Sequence, residues 1–153
     1  MKLKLLIILI ALLQPIAILL MLGDVNSLSM SWGTKLQPLF IFTNATTSYY
    51  FFQIDRWKIP ALLLMLLTAF SINIFPDIHN ITALLFFIFC IFGINRGSYW
   101  WLFVLLYLLA IPIYFKYNLF WCEFYAIIIL CSYHSRLIII ANKINNIKDL
   151  IDQ

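Results

Sequence analysis

The chain has 153 residues, 65% of them hydrophobic and 10% charged, with a formal net charge of +4 and a mean hydropathy of +1.00. A domain of that length cannot hide so much apolar surface against itself, which excludes a water-soluble globular protein and makes a bilayer the expected solvent. The ten Lys and Arg residues are scattered singly between apolar runs, which excludes a nucleic-acid-binding patch; Cys90, Cys122 and Cys131 lie inside apolar runs without metal-ligand spacing and read as small buried hydrophobes.

Met1-Lys2-Leu3-Lys4 leads into an apolar run from Leu5 to Leu22. The run is longer than the core of a signal peptide and no small-x-small cleavage site follows, so it predicts an uncleaved first transmembrane helix. Leu36–Gln53 (LQPLFIFTNATTSYYFFQ) is less plain, because its centre, Thr43 to Ser48, is polar but uncharged. As a loop it would carry Phe40, Phe42 and Tyr49 to Phe52 into water; as a helix its small hydroxyl residues suit close packing inside a bundle. Ile59–Phe75, Ile78–Ile94, Tyr99–Phe115 (with Pro112 in its last turn) and Leu119–Tyr133, extending through Ile140, are four further apolar stretches. Each approaches the length needed to cross about 30 Å of hydrocarbon as a helix, and open strands are excluded there by their unpaired backbone groups.

The expected fold is therefore all-α: a polytopic, six-transmembrane-helix bundle with short loops, forming one integral membrane domain over 1–153, with spans at about 5–22, 36–53, 59–75, 78–94, 99–115 and 119–140. In the tail, 141–153, the repeat of Leu137, Ile140, Ile144, Ile147 and Ile151 at spacings of three and four continues, with Asn142, Lys143, Asn146 and Asp149 on other faces. That pattern predicts an amphipathic helix on the inner leaflet or on a partner.

Charge arbitrates the doubtful span. With six helices, Lys2, Lys4, Arg56, Lys58, Arg96, Arg136, Lys143 and Lys148 share the side of both termini, against Lys35 and Lys116 on the other, a split of 8 to 2. The best five-helix arrangement gives 7 to 3 and strands Lys2 and Lys4 outside. The positive-inside rule selects six spans with cytoplasmic ends, in a bacterial inner membrane or an equivalent cell membrane. Trp57, Trp100 and Trp101 then fall at the inner boundary, and Trp32 and Trp121 at the outer one, where an indole finds both oil and water.

Ionisable groups in or beside spans are the natural functional candidates. Asp77 and His79, in Phe75-Pro76-Asp77-Ile78-His79-Asn80, and Glu123, about one turn into the last span, share the outer side with Asp24, Lys35 and Lys116. Two readings stand: an outer polar site in which Glu123 and His79 exchange protons or hold a head group or cation, or helix-end residues that merely reach interfacial water, with Asp77 as a cap. A carboxylate there needs a donor, so Glu123 is expected within direct or one-water reach of His79, Lys35 or Lys116. These residues fall short of a metal site, since Asp77 and His79 share one short turn. His134-Ser135-Arg136 sits at the opposite face from Asp77, no GxSxG elbow or glycine-rich phosphate loop occurs, and no cofactor is implied. On the inner side Arg56, Lys58, Arg96 and Arg136 form a ring of single cations that either hold anionic lipid head groups or only set topology.

Phe75, Pro76 and His79 with Ala83 one turn later, then Glu123-Phe124 and Tyr133-His134-Ser135-Arg136, resemble the FRAG/DRAM/Sfk group of six-helix membrane proteins. The first outer loop, Gly23 to Ser29, departs from the Pro-x-Ile-Ser pattern of the eukaryotic members. The resemblance implies a six-helix fold and a link to lipid remodelling, phosphoinositide signalling or autophagy, and implies no common catalytic mechanism. The expected function is non-enzymatic: a lipid-binding protein, or a subunit or adaptor that meets other membrane proteins through its helix faces or the 137–153 tail. The alternatives are a lipid-modifying enzyme with an outer His79/Glu123 site and a small proton-coupled transporter, for which the polar second helix would line a path.

Overall fold

The computed structural model describes residues 2–23, 25–94 and 99–151, with side chains through Ile144. The described residues form helices joined by turns, with no strand: α1 (Lys2–Leu22), α2 (Gln37–Phe52), α3 (Lys58–Ala69), α4 (Pro76–Ile94), α5 (Trp100–Leu108), α6 (Ala110–Lys116) and α7 (Leu119–Ile151). Short 3₁₀ turns at Leu28–Ser31 and Asp55–Trp57 precede α2 and α3. Consecutive helices pack side by side, and α1 closes against α7, so the chain forms a ring of helices around a shared interior.

Three helical stretches are long and apolar enough to cross a membrane: Lys2–Leu22, Pro76–Ile94 and Leu119–Ile144. The outward surface is oily: Leu20 and Phe115 are each 80% exposed and Ile74 70%. Water is a poor solvent for such a surface, and this is a membrane protein. The doubtful Leu36–Gln53 stretch is helical over Gln37–Phe52, and its polar face is turned inward: Thr43, Asn44 and Ser48 are buried while Phe42 and Tyr49 face out.

Three boundaries differ from expectation. The 59–75 segment stops being helical at Ala69, because Phe70 turns extended and Ser71 organises a turn, its carbonyl accepting the N–H groups of Ile74 (3.1 Å) and Phe75 (2.8 Å) and its Oγ that of Asn73 (3.3 Å). A serine that offers the backbone local bonds competes with the helix ladder. The 99–115 segment breaks into α5 and α6 at Leu109. Pro112 has no N–H to give the Leu108 carbonyl, and its ring crowds that oxygen; it is tolerated in the first turn of a new helix. The tail is not a separate element either. α7 runs unbroken for 33 residues, about 50 Å, through the described part of the 141–153 segment. Asn142 and Lys143 are good enough helix formers, and no Gly or Pro intervenes to end it.

Gly23 ends α1 in the left-handed conformation (φ 75°), its N–H bonding Leu19 O at 3.0 Å. The core has one cluster around Tyr50, Trp57, Ile94 and Tyr133 and a second around Ile18, Leu28, Phe40 and Phe120. Trp57, expected at the inner boundary, is 1% exposed and packs inside the protein. It reaches there because Gly93 leaves room: a Cβ on Gly93 would lie 2.7 Å from the indole. Cys90 and Cys131 are buried and all three cysteines are free.

Candidate functional site: an interior cavity

The inward faces follow helical spacing. On α7, Glu123, Ile127, Leu130, Cys131 and His134 recur every three or four residues; on α2, Phe40, Thr43, Asn44, Thr47 and Tyr50 do; on α1, Ile7, Ala11 and Gln14. With residues of α3, α4 and the Leu28–Ser31 turn, they line a partly open cavity of about 110 Å³. Glu123 and His134 are eleven residues apart on one helix face, which puts them about 16 Å apart along its axis, at opposite ends of the lining.

The Glu123 end is built by the 25–36 segment, which folds over the bundle. Phe120 N–H, one of the unsatisfied donors at the start of α7, bonds Asn26 O at 2.8 Å. Leu28, Ser29 and Ser31 are consequently buried. Glu123, 7% exposed, accepts the Leu28 N–H on Oε2 at 2.7 Å. Next along the turn, the Ser29 hydroxyl meets His79 Nε2 at 2.7 Å, and His79 Nδ1 meets Phe70 O at 2.7 Å. A carbonyl only accepts, so Nδ1 carries the proton toward Phe70, and in the neutral ring Nε2 accepts from Ser29. His79 thereby ties that turn to the unwound end of α3 and the start of α4.

The structure thus brings Glu123 and His79 to adjacent residues of one turn, joined through the Leu28–Ser29 backbone and not to each other. Glu123, expected within direct or one-water reach of His79, Lys35 or Lys116, has as its direct partner among the described residues the Leu28 backbone N–H. A 3₁₀ turn exposes its first N–H groups, and this one is pressed against the carboxylate. Asp77 stands apart, exposed in the first turn of α4, where an acidic residue suits the helix dipole.

The His134 end enters the sequence reasoning only through the Tyr133-His134-Ser135-Arg136 segment and not as a candidate site. His134, 2% exposed, has its ring among Trp57 (4.3 Å between centroids), Phe51 (5.1 Å), Tyr50 (5.3 Å) and Tyr133 (5.3 Å), with Nδ1 3.2 Å from the Tyr50 hydroxyl. Among the described residues, four cavity-lining side chains hold a buried polar atom with no hydrogen-bond partner: Gln14 Nε2, Thr43 Oγ1, Thr47 Oγ1 and His134 Nε2. Buried polar groups are seldom left so; Trp32 Nε1, Ser48 Oγ and Tyr107 Oη share this condition away from the cavity, while these four face the same space. The available signals were a lone Gln in the leucine-rich first span, hydroxyls at i and i+4 on the second, and the eleven-residue Glu–His interval on the last.

Of the four cations Arg56, Lys58, Arg96 and Arg136, three lie among the described residues. Lys58 Nζ pairs with Asp55 at 2.8 Å on the surface, and that hydrogen bond, with the lysine's charge, holds the Asp55 carboxyl below its usual range. Arg136 lies over the Tyr99 and Phe103 rings at 5.1 and 5.8 Å, a cation–π arrangement. Arg56 is exposed beside Lys58, and Arg96 lies outside the described residues. Among the described residues no group of three His, Cys, Asp or Glu converges as metal ligands would. Comparisons with protein-family models, curated proteins and solved structures find no match for the chain.

Proposed function

We propose that the protein is a non-enzymatic, six-span membrane protein that binds a bilayer-partitioned ligand in the interior of its helix ring. The observation that carries this reading is the cavity, whose mostly apolar walls hold four buried polar atoms without partners among the described residues. Apolar walls with a few convergent polar groups are the general form of a small-molecule site. The crossings are α1, α2, α3, the α5–α6 pair and the first part of α7 with α4, and both termini are cytoplasmic, as the 8-to-2 split of basic residues favours. Membership of the FRAG/DRAM/Sfk-like group belongs to the same proposal. His79 acts here as a structural clasp, with both ring nitrogens engaged, and not as a catalyst.

Native mass spectrometry of the protein extracted in mild detergent tests the reading. The wild type should carry a bound lipophilic mass, and Thr47→Phe, which fills the cavity, should lose it while remaining folded. A folded Thr47→Phe that keeps the same ligand, or a wild type that carries none, overturns it.

A second reading is favoured by the length of α7. At about 50 Å it exceeds a hydrocarbon layer of about 30 Å, so its C-terminal turns extend beyond the crossing. That end would serve as the docking element of a subunit or adaptor. Pull-down with the full chain and with a chain ending at Ile144 tests it: a stoichiometric membrane partner should be lost with the truncation.

A further inference from the structure

A second hollow lies beside the first. Leu3, Leu6, Ile7 and Ile10 on α1 face Phe42, Ala45, Thr46 and Tyr49 on α2 across a crevice of about 340 Å³. It is on the outward side of the ring, where Leu3, Leu6, Phe42 and Tyr49 are all exposed. Of its two hydroxyl-bearing residues, Thr46 and Tyr49, Thr46 donates its proton back to the Phe42 and Thr43 carbonyls (2.8 and 3.0 Å). Ile7 lines the crevice and the interior cavity alike, and on α2 the consecutive residues Thr46 and Thr47 line one each. One layer of side chains therefore separates an oily, membrane-facing slot from a polar-studded interior.

The interior also has a definite charge character. None of its lining residues is Lys or Arg, and Glu123 is the one carboxylate among them. Gln14 Nε2 is a free donor, the Thr43 and Thr47 hydroxyls donate and accept, and the far end is His134 inside its aromatic cage. A phosphate brought here would lose its hydration with no cation to receive it and a carboxylate nearby, a costly burial. A head that donates and accepts without charge would satisfy the orphaned atoms.

Resting on the cavity reading above, we propose that the ligand is a single-chain lipid with an uncharged hydroxyl- or amide-bearing head, the head in the interior cavity and the chain in the α1–α2 crevice, admitted from the bilayer past Ile7. Unlike a head-group site on the basic rim, this site discriminates against anionic lipids.

The test uses the full chain in nanodiscs of zwitterionic phospholipid, with radiolabelled 1-monooleoylglycerol as probe and its phosphate ester, lysophosphatidic acid, as competitor. Saturable binding of the glycerol lipid is expected, with the phosphate ester weaker by about tenfold or more. Ala45→Trp, which fills the crevice from α2, should weaken binding by a similar factor, and Leu6→Trp should repeat the effect from the α1 wall; Leu13→Trp, exposed on α1 but outside the crevice, should leave it unchanged. Equal competition by the phosphate ester overturns the uncharged head. Unaltered binding in both crevice variants overturns the route. No saturable binding of the glycerol lipid overturns the proposal as a whole. In each case the mass-spectrometric result for Thr47→Phe stands separately and decides whether the cavity reading fails too.

Discussion

Glu123 is held by a single backbone N–H in a place where water is scarce, and its substitution separates two roles. Glu123→Ala leaves the Leu28 N–H buried without an acceptor, so stability should fall by about 1–3 kcal/mol, read as a lowered midpoint in detergent thermal denaturation. Glu123→Gln keeps an acceptor oxygen and should fold nearly as well; a Gln variant as unstable as the Ala variant would show that the negative charge itself is needed. His79→Ala breaks the bonds to both Ser29 and Phe70 and should cost at least as much as Glu123→Ala, without changing the bound ligand's mass. Loss of the ligand with full retention of stability would return His79 to the list of functional residues. Gly93 presents the reverse case. Alanine is the better helix former, yet its Cβ would meet the Trp57 ring at 2.7 Å, so Gly93→Ala should destabilise by about 1–3 kcal/mol of overpacking. Trp57→Phe in that background should recover part of the loss by removing the ring that clashes, and failure to recover any would place the strain elsewhere.

At the scale of elements, two features explain why apolar length alone misjudges the helices. Ser71 ends α3 early and thereby frees the Phe70 carbonyl for His79, so the shortened helix is what makes the His79 clasp available. Pro112 splits the 100–116 stretch at Leu109. Pro112→Ala should let this stretch close into one helix and add a protected amide at position 112, measurable by hydrogen exchange. No gain in protection would mean that packing against α7 imposes the break. The polar face of α2 is the element on which the interior depends: Thr43, Asn44 and Thr47 line the cavity, while the aromatic face, Phe42 and Tyr49, looks outward.

For the whole molecule, the closed ring is the decisive fact, because contact between α1 and α7 converts a row of helices into an enclosure. The proposed arrangement of six crossings with cytoplasmic ends predicts which side each turn occupies. Asn26→Cys, exposed in the segment over the Glu123 end, should be labelled by an impermeant thiol reagent on intact cells that lack other reactive surface thiols, whereas Gln53→Cys at the α2–α3 turn should be labelled only after permeabilisation. Ser27 is unsuitable for such a test because it is buried. Labelling of Gln53→Cys from outside would invert the orientation and with it the sidedness of the cavity's Glu123 end.

The sequence by itself determined the solvent, the helical class and the inward face of Leu36–Gln53, since these follow from composition and from a polar stripe that neither lipid nor an aqueous loop would accommodate. It also marked Glu123 and His79 as residues that needed partners. Only the tertiary structure decided what those partners are. Backbone donors such as Leu28 N–H belong to every sequence alike, so no pattern of side chains announces them. The cavity was illegible for a related reason. Its polar atoms come from α1, α2 and α7, and although the polar stripe of α2 shows its inward face, α1 and α7 are apolar on nearly every side, so spacing there says which residues share a face without saying which face turns inward. That choice is made when the ring closes, because only then do Gln14, Thr43, Thr47 and His134 come to face one another across a common space.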